Sequence, residues 1–234
     1  MRIIVMNPKG GVGKTTIATN LVSYYLGKGC KTALIDLDPQ GSSTYWVRKR
    51  PIFKAPLQLI EPHNLKAGMT KVFQLTPERG TEVTVTDTPA GMDLVGNISQ
   101  IRNNDVILIP VTPSVFDIQV ITRFIADLLI KVKPNRSHTQ VAVIANRCRE
   151  NTQSFKKLRL FLEALNIPFI GIIKDAQFYV GASEEGLGFF DLGKVQKSLI
   201  KESYRWQAIT QWLDVIKDRS YSVREVSPCE KEMV

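Results

Sequence analysis

A glycine-rich segment near the start of the chain constrains the fold most. Residues 7–16 read NPKGGVGKTT, between a β-branched run at residues 3–5 and a segment with helical spacing. A strand, a glycine turn and a helix start form a cradle for phosphate, because glycine lets backbone N–H groups turn inward and the helix adds its positive end. The segment departs from the pattern G-x-x-x-x-G-K-[ST] at Pro8 and fits the variant K-G-G-x-G-K-T-T.

This segment predicts a nucleotide-phosphate site. Lys14 can reach the β- and γ-phosphates, and the Thr15 hydroxyl can ligate Mg²⁺. The alternative is a glycine-rich turn without a ligand, which the number of matched positions disfavours. The predicted nucleotide-binding residues of the segment are Lys9, Gly10, Gly11, Val12, Gly13, Lys14, Thr15 and Thr16.

Strand-like and helix-like runs alternate along the chain. Short β-branched runs predict buried strands at residues 3–5, 32–35, 83–86, 106–109 and 141–144. Helical spacing links Ile17, Leu21 and Tyr25, and again Leu158 and Leu162. We therefore expect an α/β fold: a mostly parallel, twisted sheet with helices on both faces, of the P-loop NTPase type.

The chain organisation predicts one domain. Residues 1–219 are expected to form a single unit with an irregular stretch at about 44–80, and residues 220–234 a flexible tail. No apolar run approaches the ~20 residues that span a bilayer, and the first residues do not form a signal peptide. We therefore expect a cytoplasmic protein.

Two acidic segments follow predicted strands. Asp36 and Asp38 follow the second strand, and Asp87 ends a later one. Ligands collect at the carboxyl ends of strands in open α/β sheets. Asp87 can hold Mg²⁺ directly or through a water, and Asp38 can orient the attacking water. Alone, each aspartate would more commonly be a turn former or a helix cap.

At these residues the chain resembles the ParA/MinD family of deviant Walker-A ATPases. The resemblance rests on residues 9–16, 36–40, 87–91 and 109–114, and it extends from residue 1 to about 217. Within the family the short length is most similar to the small ParA-type partition ATPases that lack an N-terminal helix-turn-helix. The resemblance implies binding of ATP and Mg²⁺ and slow, partner-stimulated hydrolysis to ADP and phosphate.

The resemblance also implies residue roles. Lys9 matches a signature lysine that reaches the partner's phosphates in a nucleotide-sandwich homodimer, so Lys9, Lys14 and Asp38 are the expected catalytic residues. Thr15, Asp36 and Asp87 are expected at the metal. Asn146 matches a position that recognises adenine, and residues 174–180, with Asp175, are expected to close the base pocket.

Differences between this sequence and other branches of the family restrict the functions that we expect. The segment after the Asp87 strand carries no cluster cysteines, and the acidic, proline-containing end of the chain disfavours a membrane-binding helix. Metabolic amide ligases of the same superfamily would not need Lys9. We expect an ATP-dependent dimerisation switch that positions a plasmid, chromosome region or protein assembly with a ParB-like or adaptor partner. The alternative is a MinD-like membrane-surface or polymer-forming scaffold.

Basic side chains predict the surface partner. The formal net charge is +9, which suits a polyanion. Two groups of basic residues are candidates: the first comprises Lys194, Lys197, Lys201 and Arg205, and the second comprises Lys156, Lys157 and Arg159. Neither group contains a base-reading module, so we expect contact with the phosphates of DNA of any sequence, on the nucleoid. The alternative is that the first group is a solvated helix face.

Overall fold

A seven-stranded parallel sheet organises the computed structural model, which describes residues 1–61, 75–134, 138–193 and 197–225. The strands are β1 Arg2–Val5, β2 Thr32–Asp36, β3 Gln58–Ile60, β4 Val83–Asp87, β5 Val106–Val111, β6 Gln140–Cys148 and β7 Phe169–Lys174. Their order in the sheet is β3-β2-β4-β1-β5-β6-β7, and all neighbouring strands pair in parallel. This confirms the predicted α/β fold, and β3 and β7 are strands that the β-branched runs did not indicate.

Helices connect the strands in chain order. The helix at Val115–Asp127 continues into a π-helical segment, Leu128–Val132, and a 3₁₀ turn at Phe189–Asp191 precedes the last helix. Crossover helices let parallel strands lie side by side. The α-helices are α1 Lys14–Gly27, α2 Ser42–Lys49, α3 Ile98–Arg102, α4 Val115–Asp127, α5 Gln153–Ala164, α6 Gln177–Glu184 and α7 Lys197–Glu225.

The apolar core lies on both faces of the sheet. On one face α1 and α7 bury Tyr25 and Trp206 completely. On the other face α4 and α5 bury Phe124 and Leu158. Burying apolar area on both faces of a parallel sheet is the main stabilising contribution in such folds, and it holds the strand ends at fixed positions.

The ends of the predicted domain are only partly covered by the structure. The helix α7 reaches Glu225, beyond residue 219, and residues 226–234 lie outside the described ranges. Of the irregular stretch at 44–80, residues 62–74 also lie outside them. The proposed domain and tail boundaries therefore stay predictions. Among the described helices, none combines the length and apolar character needed to cross a membrane.

Candidate functional site

The glycine loop joins β1 to α1 at the centre of the sheet. Gly11 and Gly13 have φ values of 75° and 89°, in the left-handed region that favours glycine. A Cβ on Gly13 would lie 2.2 Å from the Nδ2 of Asn146, so any larger residue would also displace that side chain. Gly13 is the N-cap of α1, and the N-terminus of this helix therefore opens onto the loop.

A cavity of about 530 Å³ lies above this loop. Its volume is within the range of small-molecule sites. Of the described residues that line it, Lys14 and Arg147 carry positive charge and Asp38 carries negative charge. The lining residues are Gly10, Gly11, Gly13, Lys14, Thr15, Thr16, Asp38, Pro39, Gln40, Ser42, Pro89, Ala90 and Arg147.

Lys14 is the buried cation of the cavity. Its ammonium donates a hydrogen bond to the Lys9 carbonyl oxygen at 3.2 Å, and only 7% of the residue is exposed. Burial lowers the pKa of Lys14, while Asp87 and Asp38 oppose that change. A phosphate in the cavity would be a strong partner for this otherwise poorly compensated charge.

Thr15 and Asp87 form the candidate metal position. The Thr15 hydroxyl donates to Oδ2 of Asp87 at 2.7 Å. Burial raises the pKa of Asp87 to about 7; Asp36 adds to the rise, while the hydroxyls of Thr15 and Ser43 and the charge of Lys14 oppose it. The other oxygen, Oδ1, is buried and has no well-formed hydrogen bond within the described part of the chain.

These two residues fit Mg²⁺. A buried carboxylate with an unused oxygen beside a threonine hydroxyl supplies hard oxygen ligands, and Mg²⁺ completes its shell with substrate phosphates and water. No group of three or more His, Cys, Asp or Glu side chains in the described ranges forms a metal site without such help.

Asp36 and Asp38 set the turn after β2. Both oxygens of Asp36 accept backbone N–H groups, from Asp38 at 3.1 Å and from Thr44 at 2.8 Å. Asp38 is half-buried, accepts a hydrogen bond from the Gln40 backbone N–H at 3.0 Å, and lines the cavity. Asp36 thereby positions Asp38 and the start of α2, and its predicted place near the metal stays a prediction.

Lys9 does not line the cavity of its own subunit. Its ammonium forms an ion pair with Asp117 on α4, and the Lys9 side chain is 44% exposed while that of Asp117 is 4% exposed. Asp117 also accepts a hydrogen bond from the Thr112 hydroxyl. The residue pattern did not identify Asp117; the only signal was its position just after the segment at residues 109–114.

The predicted base-binding residues lie at the ends of β6 and β7. Asn146 is buried, and its amide donates a hydrogen bond to the Val12 carbonyl oxygen at 2.8 Å, which fixes the position of the glycine loop. The Asp175 carboxylate forms an ion pair with the Arg149 guanidinium at 2.7 Å, and the Asp175 backbone N–H donates to the Cys148 carbonyl oxygen at 3.1 Å. The structure brings Asn146 to the loop, whereas the described contacts of Asp175 are with Arg149 and Cys148; the contacts of both residues with adenine stay predictions.

Only part of the first predicted basic group is described and free to contact DNA phosphates. Lys194 lies outside the described residues, and Lys197 begins α7 with a side chain that is not described. Lys201 is exposed. Arg205 pairs with Glu150 at 2.7 Å, so its charge is already engaged.

The second predicted basic group lies on α5. Lys156 and Lys157 are exposed, and Arg159 pairs with Glu163 at 2.7 Å. The Arg205–Glu150 pair links α7 to the turn before α5, so Lys201 and the α5 lysines lie at the β6–β7 side of the sheet. Because both arginines are paired, the exposed lysines Lys156, Lys157 and Lys201 are the better candidates for phosphate contact.

A glycine loop between a central parallel strand and a helix, with a threonine–aspartate pair beside it, makes this a P-loop nucleotide-binding protein. The family model described as the CobQ/CobB/MinD/ParA nucleotide binding domain matches residues 3–189. The chain belongs to that family, which confirms the resemblance to ParA/MinD proteins.

Three relatives show how far the similarity extends. The chain is 28% identical over 204 residues to maintenance of carboxysome distribution protein A from Halothiobacillus neapolitanus, covering 86% of this chain and 91% of that protein. The structure of apo McdA from Cyanothece superposes with a TM-score of 0.65 at 18% identity, covering 89% of this chain and 98% of that one. A putative plasmid partition protein from Borrelia burgdorferi bound to AMPPNP gives 0.64 at 18% identity, covering 90% and 98%. At these identities the two structures show the shared fold.

Proposed function

We propose that the protein is an ATP-dependent dimerisation switch. The observation that carries this proposal is the presence of two lysines in one phosphate loop, of which only Lys14 lines the subunit's own cavity. Lys9 is half-exposed beside the cavity and can extend to the phosphates of a second subunit once it leaves Asp117. A cation supplied across an interface couples nucleotide binding to assembly.

The same site supports ATP hydrolysis. The backbone N–H groups of the loop and Lys14 would hold the phosphates, and Asp38 would orient a water for attack, giving ADP and phosphate. Thr15 and Asp87 would hold Mg²⁺, which neutralises phosphate charge when bound. Basal turnover would be slow, and a ParB-like or adaptor protein would stimulate it.

The dimer would bind DNA without sequence preference. The exposed lysines Lys156, Lys157 and Lys201 support this, because isolated cations without a base-reading element contact phosphates. The similarity to a carboxysome distribution protein and to a plasmid partition protein supports the positioning of a plasmid, chromosome region or protein assembly. The switch would act in the cytoplasm, on the nucleoid.

The assembly step can be tested by light scattering with ATP, ADP or no nucleotide. We expect ATP alone to produce a dimer of the wild type. Lys14→Ala should lose nucleotide binding in calorimetry, since the phosphates lose their buried cation. Lys9→Ala should bind nucleotide and stay monomeric.

Lys31→Ala is the matched control for Lys9→Ala. Lys31 is also about half-exposed and ion-paired, with Glu78 at 3.0 Å, but it does not line the cavity. This variant should dimerise like the wild type. Normal dimerisation of Lys9→Ala would contradict the role of Lys9, and ATP-dependent binding to liposomes instead of DNA would favour the membrane-surface alternative.

A further inference from the structure

A backbone irregularity at the end of β6 presents an arginine to the nucleotide cavity. The pairing of β6 with β7 shifts register between Ala145 and Cys148. Within that shift Arg147 has a φ of 53°, and among the described residues Lys133 is the other non-glycine residue with a positive φ. Bulges of this kind redirect a side chain, and they are common beside functional sites.

The redirected side chain reaches the glycine loop. Arg147 lines the cavity, and its Nε lies 3.9 Å from the point that a Cβ on Gly13 would occupy. Arg147 is exposed and has no hydrogen-bond or ion-pair partner among the residues that the structure describes. Arg149, two positions along, is held by Asp175 at 2.7 Å.

The charge of the cavity makes this free guanidinium significant. Lys14 is the only other cation among the described lining residues, because Lys9 is paired with Asp117 outside the cavity. A polyphosphate carries several negative charges, and guanidinium groups bind phosphate oxygens through charge-assisted hydrogen bonds.

We propose that Arg147 binds the α-phosphate of the adenine nucleotide, an assignment that rests on the proposed ATP-binding function. In a P-loop the backbone N–H groups hold the α- and β-phosphates, and the loop lysine holds the β- and γ-phosphates. Arg147 lies beside Gly13, where the loop enters α1, and it directly follows Asn146, the predicted base-side residue. This position is between the base and the phosphates that Lys14 serves. Arg147 therefore contributes equally to ATP and ADP, unlike Lys9.

Competition binding against a fluorescent ADP analogue, with adenosine, AMP, ADP and ATP, tests the assignment. Arg147→Ala should weaken AMP, ADP and ATP by a similar factor of about tenfold and leave adenosine unchanged. Arg48→Ala removes another exposed arginine, one that pairs with Glu61 at 3.1 Å and does not line the cavity, and should bind all four ligands like the wild type.

Arg147→Gly separates ligand binding from a structural role. Glycine accepts a positive φ without strain, so this variant should melt at or above the wild-type temperature. It should nevertheless lose the same affinity for the three phosphate-bearing ligands.

Two results would overturn the assignment while the wild type still binds ATP. If both Arg147 variants bound AMP, ADP and ATP with unchanged affinity, Arg147 would not contact the α-phosphate. An equal loss for adenosine would place Arg147 on the base or ribose. If the wild type bound none of the four ligands, the proposed function itself would fail, and this assignment with it.

Discussion

At the scale of single residues, the ion pair of Lys9 with Asp117 and its proposed contact with the partner's nucleotide exclude each other. In the isolated chain Lys9 is paired with Asp117, a buried carboxylate that also accepts a hydrogen bond from Thr112. In the proposed dimer the same ammonium contacts the partner's nucleotide. The ion pair must therefore break before the dimer forms, and its free energy opposes assembly.

Replacing Asp117 with asparagine should make dimerisation easier. The amide keeps the shape but removes the charge, and a pair with a half-exposed lysine contributes about 1 kcal/mol. A symmetric dimer breaks two such pairs, so the shift should be about 2 kcal/mol, or roughly thirtyfold in the dissociation constant. Sedimentation equilibrium with a non-hydrolysable ATP analogue would measure the shift. Asp127→Asn, on the same helix and paired with Lys131 at the surface, is the control. A weaker dimer in Asp117→Asn would mean that Asp117 positions Lys9 for the partner.

Asp38→Ala should separate binding from turnover. The side chain lines the cavity without touching the glycine loop through any described hydrogen bond, so ATP binding and dimerisation should persist. Water orientation is lost, and the rate should fall below a basal value that can be as low as ~10⁻⁴ s⁻¹ in switch NTPases. Phosphate release over hours measures this. Hydrolysis at the wild-type rate would transfer the role to another residue.

The sequence predicts site residues where the motif is local. The strand, loop and helix of the phosphate site are consecutive, so Lys14 and Thr15 can be assigned from spacing alone. Asp117 could not be assigned in that way, because 108 residues separate it from Lys9 and only the sheet brings them together. The sequence did not place Arg147 at the cavity, because that position depends on a bulge that the residue types do not indicate.

At the scale of elements, contacts between residues distant in sequence also limit the prediction of strands. The sequence did not predict β7 because Gly171 interrupts its apolar run, and the reason for that glycine is a contact with another element. A Cβ there would lie 2.5 Å from Cγ1 of Ile209 on α7. β3 escaped because three residues give too little periodicity to read. The five strands with β-branched runs were all confirmed.

A buried ion pair fastens α2 to the rest of the fold. Arg50 bonds both oxygens of Asp191, at 2.8 and 3.0 Å, and the side chains are 6% and 8% exposed. Ser23 of α1 also donates to Asp191, at 2.8 Å. Burial alone would raise the pKa of Asp191, but these hydrogen bonds outweigh it and lower the pKa. The pair therefore joins α2, α1 and the 3₁₀ turn.

Asp191→Asn should destabilise the protein by about 3 kcal/mol at pH 7, because it leaves Arg50 buried without its counter-charge. A carboxylate with a lowered pKa stabilises the fold above its ordinary value of 3.8 and loses that effect as the pH falls through the lowered pKa. The difference from the wild type should thus shrink below about pH 4. Urea denaturation from pH 7 to pH 3 measures it. Glu163→Gln, which breaks the exposed pair with Arg159, is the control and should leave the unfolding midpoint at the wild-type value.

At the scale of the whole molecule, the formal charge of +9 overstates the number of cations that could contact DNA in the proposed complex. Arg205 and Arg159 are committed to Glu150 and Glu163. Three exposed lysines of the predicted groups, Lys156, Lys157 and Lys201, have no described ion pair. A dimer doubles that number on one duplex, so its affinity can greatly exceed that of a monomer.

DNA binding should therefore require ATP and weaken steeply with salt. Three lysines in each subunit give about six phosphate contacts, and the slope of log K against log salt should be roughly −5 on any duplex. Charge reversal of Lys156, Lys157 and Lys201 should flatten the slope while ATP-driven dimerisation survives. Arg159→Ala is the matched control on α5 and should leave the slope unchanged, because that guanidinium is already paired. Salt series on two unrelated duplexes, with ATP and with ADP, measure these slopes. Equal affinity with either nucleotide would contradict the switch, and an unchanged slope in the triple variant would move the DNA surface away from these lysines.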